Sequence, residues 1–146
     1  MRKYLLAADG SEGSMKAAYF LLDLVRDINE YEITVVYVNN IKKEIYNYPL
    51  LTYTPGTEEM IQKQSEEIVD ETAAILENEG VRVNKVILDG DPAQEISRYA
   101  EELGVNQIVM GTRGLSNIRG LVVGSVGQRV IHLANNPVTL VKQLKS

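Results

Sequence analysis

The sequence predicts one domain spanning residues 1–146, of the α/β class. Its core is a doubly wound five-stranded parallel sheet, strand order 3-2-1-4-5, with helices on both faces. Three observations carry this. Short runs rich in apolar and β-branched residues have the character of strands buried on both faces. Segments with apolar residues at helical spacing separate them. Capping residues, glycines and prolines mark the boundaries, and strict strand–helix alternation calls for right-handed crossovers between parallel strands.

Residues 3–8 form a short apolar run stopped by Asp9-Gly10-Ser11, the first strand. Ser11 or Ser14 can cap the next segment, where Ala18, Leu21, Leu22, Val25 and Ile28 predict a helix over 14–29. Residues 32–38 are β-branched enough for a second strand. The stretch 39–56 loses periodicity and carries Tyr46, Tyr48, Tyr53, Pro49, Pro55 and Gly56; it is read as a long loop, a surface insertion or a place for partner contact. Thr57 is the expected cap of a long helix with inner face Ile61, Ile68, Thr72, Ile75 and Leu76, ended by Gly80. Residues 81–88 make a third strand whose polar half suits a sheet edge. Asp91-Pro92-Ala93-Gln94 opens a helix that runs to Leu103, with Gly104 as its stop. Residues 107–110 are the fourth strand. Ser125, with Gln128 three residues on, has capping-box spacing for a last helix ending near Asn135-Asn136, and residues 137–142 form the fifth strand.

Composition bounds the chemistry. Apolar residues make up 45% of the chain and charged residues 24%, as in ordinary globular domains. Without cysteine there is neither thiolate chemistry nor a disulfide, and the sole histidine, His132, lies within the last predicted helix without a second histidine to join it. The apolar run after Met1-Arg2-Lys3 ends at Asp9, too short for a leader or a membrane span, so a cytoplasmic protein without membrane partner is expected. A net charge of −5 with no basic block argues against nucleic acid.

The fourth strand delivers the chain to Gly111-Thr112-Arg113-Gly114, nine residues, then Gly124-Ser125. Glycines that admit close backbone approach, followed by a helix start, form a place for phosphate. Strand order 3-2-1-4-5 reverses between strands one and four, so Asp9 is expected to face this loop across the crevice. Ionised Asp9 is acceptor-only and suits ribose hydroxyls, an exocyclic amine or a metal-bound water; its other reading is a cap on the first helix. Arg113 reads equally as a phosphate contact or a solvated loop residue, and Val38 as core or as backbone reading an adenine edge. One helix terminus contributes about 0.3–1 kcal/mol, up to about 2 when partly buried. Micromolar binding needs about 8 kcal/mol, so several N–H donors, a base pocket and Mg²⁺ must share the work. There is no Walker A loop and no dinucleotide fingerprint, and Asp9-Gly10-Ser11-Glu12-Gly13 only half matches a nucleophile elbow.

The Gly-x2-Gly-x9-Gly-Ser spacing of Gly111, Gly114, Gly124 and Ser125 resembles the nucleotide-binding motif of the universal stress protein family, in its ATP-binding branch. Asp9-Gly10-Ser11, Gly90-Asp91-Pro92 and Asn136-Pro137-Val138 also resemble that family, so the similarity covers essentially the whole chain. The resemblance implies that Asp9 and the Val38 backbone face adenine or ribose. It implies that Met110, Gly111, Thr112, Arg113 and Gly114, with Asn117, Gly124, Ser125 and Val126, wrap ribose and phosphates. Ala7 stands where some ATP-binding members have proline, and Gly127 where a hydroxyl residue often contacts phosphate, which leaves ADP or AMP open as ligands beside ATP with Mg²⁺ or Mn²⁺. The resemblance further implies a homodimer through the last strand, where Val138, Leu140 and Val141 offer an edge; Lys142 and Lys145 would protect that edge in the alternative reading. The expected function is a nucleotide-dependent switch in stress response, acting on a downstream protein, with slow or partner-dependent hydrolysis at most. Its alternatives are a stress protein working through protein contacts alone and an enzyme of adenylate chemistry.

Overall fold

The computed structural model describes residues 1–40, 55–112 and 123–142. Five strands and four helices alternate: β1 (Arg2–Ala8), α1 (Glu12–Val25), β2 (Tyr31–Asn39), α2 (Pro55–Glu77), β3 (Val83–Asp89), α3 (Pro92–Leu103), β4 (Gln107–Gly111), α4 (Ser125–Leu133) and β5 (Val138–Val141). All strand pairs are parallel and the order is β3-β2-β1-β4-β5, as the sequence predicts.

Residues of β1 alternate between two cores. Tyr4, Leu6 and Ala8 pack with Ile33, Val35 and Val109 beneath Ala17, Ala18 and Leu21 of α1 and Val69, Ala73 and Leu76 of α2. Leu5 and Ala7 pack on the opposite face with Val36, Val38, Ile108 and Met110 beneath Ala93, Ile96 and Ala100 of α3 and Val130 of α4. Burial on both faces explains why β1, β2 and β4 are near-continuous apolar runs. β3, at the sheet edge, is half exposed and carries Asn84 and Lys85, the latter paired with Asp70 and Glu77 of α2. Both carboxylates accept hydrogen bonds from the ammonium and raise its pKa, Asp70 foremost.

Several boundaries differ from expectation. α1 begins two residues before Ser14: the Ser11 side chain accepts from the Ser14 N–H (3.2 Å), making Ser11 the cap, and the helix tightens and stops at Val25. α2 starts at Pro55, so Thr57 is inside the first turn rather than capping it. A proline is tolerated there because a first-turn N–H has no helical acceptor to lose. The buried stripe of α2 is Ile61, Ser65, Val69, Thr72, Ala73 and Leu76, with Ile68 and Ile75 half-buried at its flank. β3 starts at Val83, because Val81 is still held by its N–H on the Leu76 carbonyl (3.1 Å) after the left-handed Gly80. α3 begins as expected, with Asp91 capping the Gln94 N–H (3.0 Å) and Pro92 in its first turn, and ends at left-handed Gly104. α4 is capped by Gly124, not Ser125, and ends at Leu133, with Ala134 already extended. No capping box forms; the Gln128 amide donates instead to the Val123 carbonyl (2.9 Å). Most of the tyrosine-bearing loop 39–56 lies outside the described residues, as do Arg113, Gly114, Asn117 and Lys145.

Candidate functional site at the sheet switch point

The chain leaves β1 toward β2 on one side and returns through β4 on the other, so a crevice opens beyond the C-terminal ends of these strands. It holds a cavity of about 420 Å³. Strand ends and the residues just after them supply Ala7, Ala8 and Asp9 from β1, Tyr37, Val38 and Asn40 from β2, and Met110, Gly111 and Thr112 from β4. Helices supply Ser14 of α1, Pro92 and Ile96 of α3, and the start of α4 from Gly124 to Gly127. Of the residues named from sequence, Ala7, Asp9, Val38, Met110, Gly111, Thr112, Gly124, Ser125, Val126 and Gly127 thus border one cavity. Arg113, Gly114 and Asn117 lie outside the described residues.

Each wall has a local cause. Asp9 sits between β1 and left-handed Gly10, and its carboxylate accepts from the Ser11 N–H (2.8 Å). This turn carries the chain from β1 into α1 while Ser11 takes the cap, so Asp9 braces the turn and lines the cavity at once. Gly111 is needed for packing: a Cβ there would lie 2.8 Å from the Gly13 carbonyl carbon and oxygen in the first turn of α1. The glycine expected from sequence to admit a ligand is thus also the seat of helix α1. Beyond it the Thr112 N–H donates to the Val141 carbonyl (3.1 Å), and the Thr112 carbonyl accepts from the Gly124 N–H. Thr112 and Gly124 are therefore pinned to each other.

That pin places the start of α4 against the cavity. Gly124 caps with extended backbone and has no side chain to offer the first-turn N–H groups. The positive end of α4 is thereby left to interact with an anion. Ser125 at this end is exposed, and Gly127 is buried, its Cβ position 3.0 Å from Val123 Cγ1. Val38, 7% exposed, is both core and cavity wall, so the two readings of it coincide.

Two connections brace the rim. Asn39, buried at the end of β2, donates from its amide to Ser65 Oγ of α2 (3.1 Å), and its carbonyl accepts from the Gly90 N–H (3.0 Å). Asp91 accepts from the Arg129 guanidinium of α4 (2.8 Å), and this bond keeps Arg129 protonated to above its ordinary range. Among the described residues no cluster of three His, Asp or Glu side chains could hold a metal by itself. No described helix is long and apolar enough to cross a membrane.

Ala8, Ser14, Tyr37, Asn40, Pro92 and Ile96 also line the cavity and are not among the residues the sequence assigns to it. Pro92 carried a signal as the residue after the Asp91 cap; the others reach the cavity through tertiary packing alone.

A sheet wound both ways from β1, with a cavity at the reversal, defines the class: doubly wound α/β domains with a switch-point crevice. Within it, the model of the Universal stress protein family matches residues 1–142, and the chain belongs to that family. Universal stress protein YxiE of Bacillus subtilis is 33% identical over 150 residues, covering 96% of this chain and 98% of its own. Universal stress protein MJ0531 of Methanocaldococcus jannaschii is 29% identical over 144 residues, covering 99% and 84%. The solved structure of hypothetical protein MJ0577, also of M. jannaschii, superposes with a TM-score of 0.80 at 30% identity, covering 99% of this chain and 98% of that one. The same fold recurs in the Archaeoglobus fulgidus universal stress protein in complex with dAMP, with a TM-score of 0.70 at 23% identity over 97% and 98% of the two chains.

Proposed function

We propose that this universal stress protein binds an adenine nucleotide, ATP foremost and ADP or AMP in its place, and acts as a nucleotide-dependent switch. The observation that carries the reading is the open end of α4, capped by a glycine without side chain, facing a cavity of about 420 Å³ at the switch point. Cavities of this size suit small organic ligands. An apolar wall of Val38, Ile96 and Met110 suits a base, and Asp9 with the Ser14 and Thr112 hydroxyls suits ribose. Ser125, Val126 and Gly127 offer first-turn N–H groups to phosphate. The dAMP complex of the A. fulgidus relative is consistent with this assignment. Mg²⁺ or Mn²⁺ would be held chiefly by the phosphate oxygens.

Hydrolysis is slow or partner-dependent in this reading. Asp9 is the one carboxylate lining the cavity among the described residues, and it already accepts from the Ser11 N–H. Calorimetric titration with ATP-Mg²⁺ tests the reading: saturable one-to-one binding is expected, and a flat trace with ATP, ADP and AMP alike would refute it.

The same proposal includes a homodimer through β5. Of the two sheet edges, β3 carries charge, whereas β5 is Val-Thr-Leu-Val. The Pro137 and Val141 carbonyls accept from the Ile108 and Thr112 N–H groups, so by the two-residue period the backbone groups of Val138 and Leu140 face outward. Ile131 and Leu133 of α4, the helix that leads into β5, are exposed and add apolar surface to the protein. Sedimentation velocity is expected to give a dimer, and a monomer at high protein concentration would contradict it.

A further inference from the structure

We propose that Asp91 and Arg129 form a positioning pair, which clasps α4 to the start of α3 and so aims the α4 N-terminus at the phosphate end of the cavity. The inference rests on the adenine-nucleotide reading above. Asp91 divides its carboxylate between two tasks: Oδ2 accepts from the Gln94 N–H and caps α3, and Oδ1 accepts from Arg129. Neither Asp91 nor Arg129 lines the cavity, yet both adjoin residues that do. Pro92 follows Asp91, and Val126 and Gly127 lie in the turn before Arg129.

The rim is otherwise tied down at other points. The Gly90 N–H on the Asn39 carbonyl fixes the β3–α3 turn to β2, and the Gly124 N–H on the Thr112 carbonyl fixes the entry to α4 against β4. Asp91–Arg129 joins these two fixed points to each other. The nine-residue α4 buries Gly127 and Val130, packs Val126 partly buried against the same core and lies along α3, so the ion pair fixes its orientation within a seam the two helices already share. An exposed ion pair adds little to global stability; Arg129 is 46% exposed and Asp91 17%. A few tenths of an ångström at a helix terminus nevertheless decide whether its N–H groups reach an anion.

The test uses Arg129→Gln, Arg129→Lys, Asp91→Asn and the Arg129→Gln/Asp91→Asn double variant of the full chain. Asparagine at position 91 retains a capping oxygen while removing the charge. Affinities for ATP-Mg²⁺ and for adenosine are measured by calorimetry, with thermal unfolding run alongside. Arg129→Gln and Asp91→Asn are each expected to weaken ATP by about fivefold, the size of one helix-terminus contact with an anion. Adenosine affinity should not change, the double variant should be no worse than either single, and Arg129→Lys should return the ATP-to-adenosine ratio toward wild type. A simple charge effect gives opposite signs, because removing the Asp91 charge would strengthen ATP, and that result overturns the positioning role. Unchanged ATP affinity in both single variants, or equal losses for ATP and adenosine, overturns it too. If the wild-type protein binds neither ligand, the nucleotide reading falls and takes this inference with it.

Discussion

Replacing Gly111 by alanine sets a methyl carbon 2.8 Å from the carbonyl carbon and oxygen of Gly13 and 3.1 Å from its Cα. Carbon atoms in van der Waals contact prefer about 3.5–4.0 Å, so β4 and the first turn of α1 must part by close to an ångström. Nothing nearby yields cheaply, since the opposing atoms are backbone. Ser11 and Ser14, before and after Gly13 in the chain, fix the helix start. Overpacking costs about 1–3 kcal/mol, and a backbone neighbour puts this site near the upper end. For a chain of this length that lowers Tm by roughly 6–12 °C. Gly104→Ala is the matched control: its φ of +65° strains any side chain, but no atom lies within 4 Å of the new carbon. It should cost only about 1–2 kcal/mol. Thermal and urea unfolding followed by circular dichroism measure both. Should Gly111→Ala prove no more destabilising than Gly104→Ala, the close packing of β4 on α1 would be refuted as the reason for glycine.

Three further substitutions probe the hydrogen bonds and core that hold these elements. Asn39→Ala removes the buried amide that joins β2 to Ser65 of α2 and should cost about 1–3 kcal/mol in urea unfolding; a loss below about 0.5 kcal/mol, the floor for an ordinary hydrogen bond, would show the bond is expendable. Ser11→Ala removes the cap of α1 and should cost about 1 kcal/mol, whereas Ser125→Ala should cost much less because Gly124 holds the cap position; equal losses would contradict the cap assignment. Leu6→Ala, at a fully buried β1 position, should cost about 2–5 kcal/mol by the same assay.

The sheet was legible because burial on both faces leaves a plain trace, a short run of apolar residues between turn signals. Asp91, Pro92 and Gly104 likewise marked α3 correctly, since each acts on backbone within a few residues of itself. Boundaries failed where a local signal had two meanings. Pro55 and Gly56 read as loop although proline suits a first turn, and Ser125 with Gln128 imitated a capping box that the Gln128–Val123 bond replaces. Asp9 and Gly111 of the candidate site followed from topology, because the strand order reverses between β1 and β4. Ser14, Tyr37 and Asn40 did not, since their place at the cavity depends on how helices and strands pack. The same holds for the contact of Gly13 with Gly111, two glycines far apart in sequence whose partnership exists only in the folded chain.

The central claim, that the switch-point cavity takes an adenine nucleotide, is tested most directly by what the protein carries from the cell. The chain is purified without added nucleotide and denatured, and the released small molecules are identified by chromatography and mass spectrometry. The account predicts ATP, ADP or AMP in near-stoichiometric amount. Release of no adenine nucleotide, together with no uptake when ATP-Mg²⁺ is supplied, would contradict it.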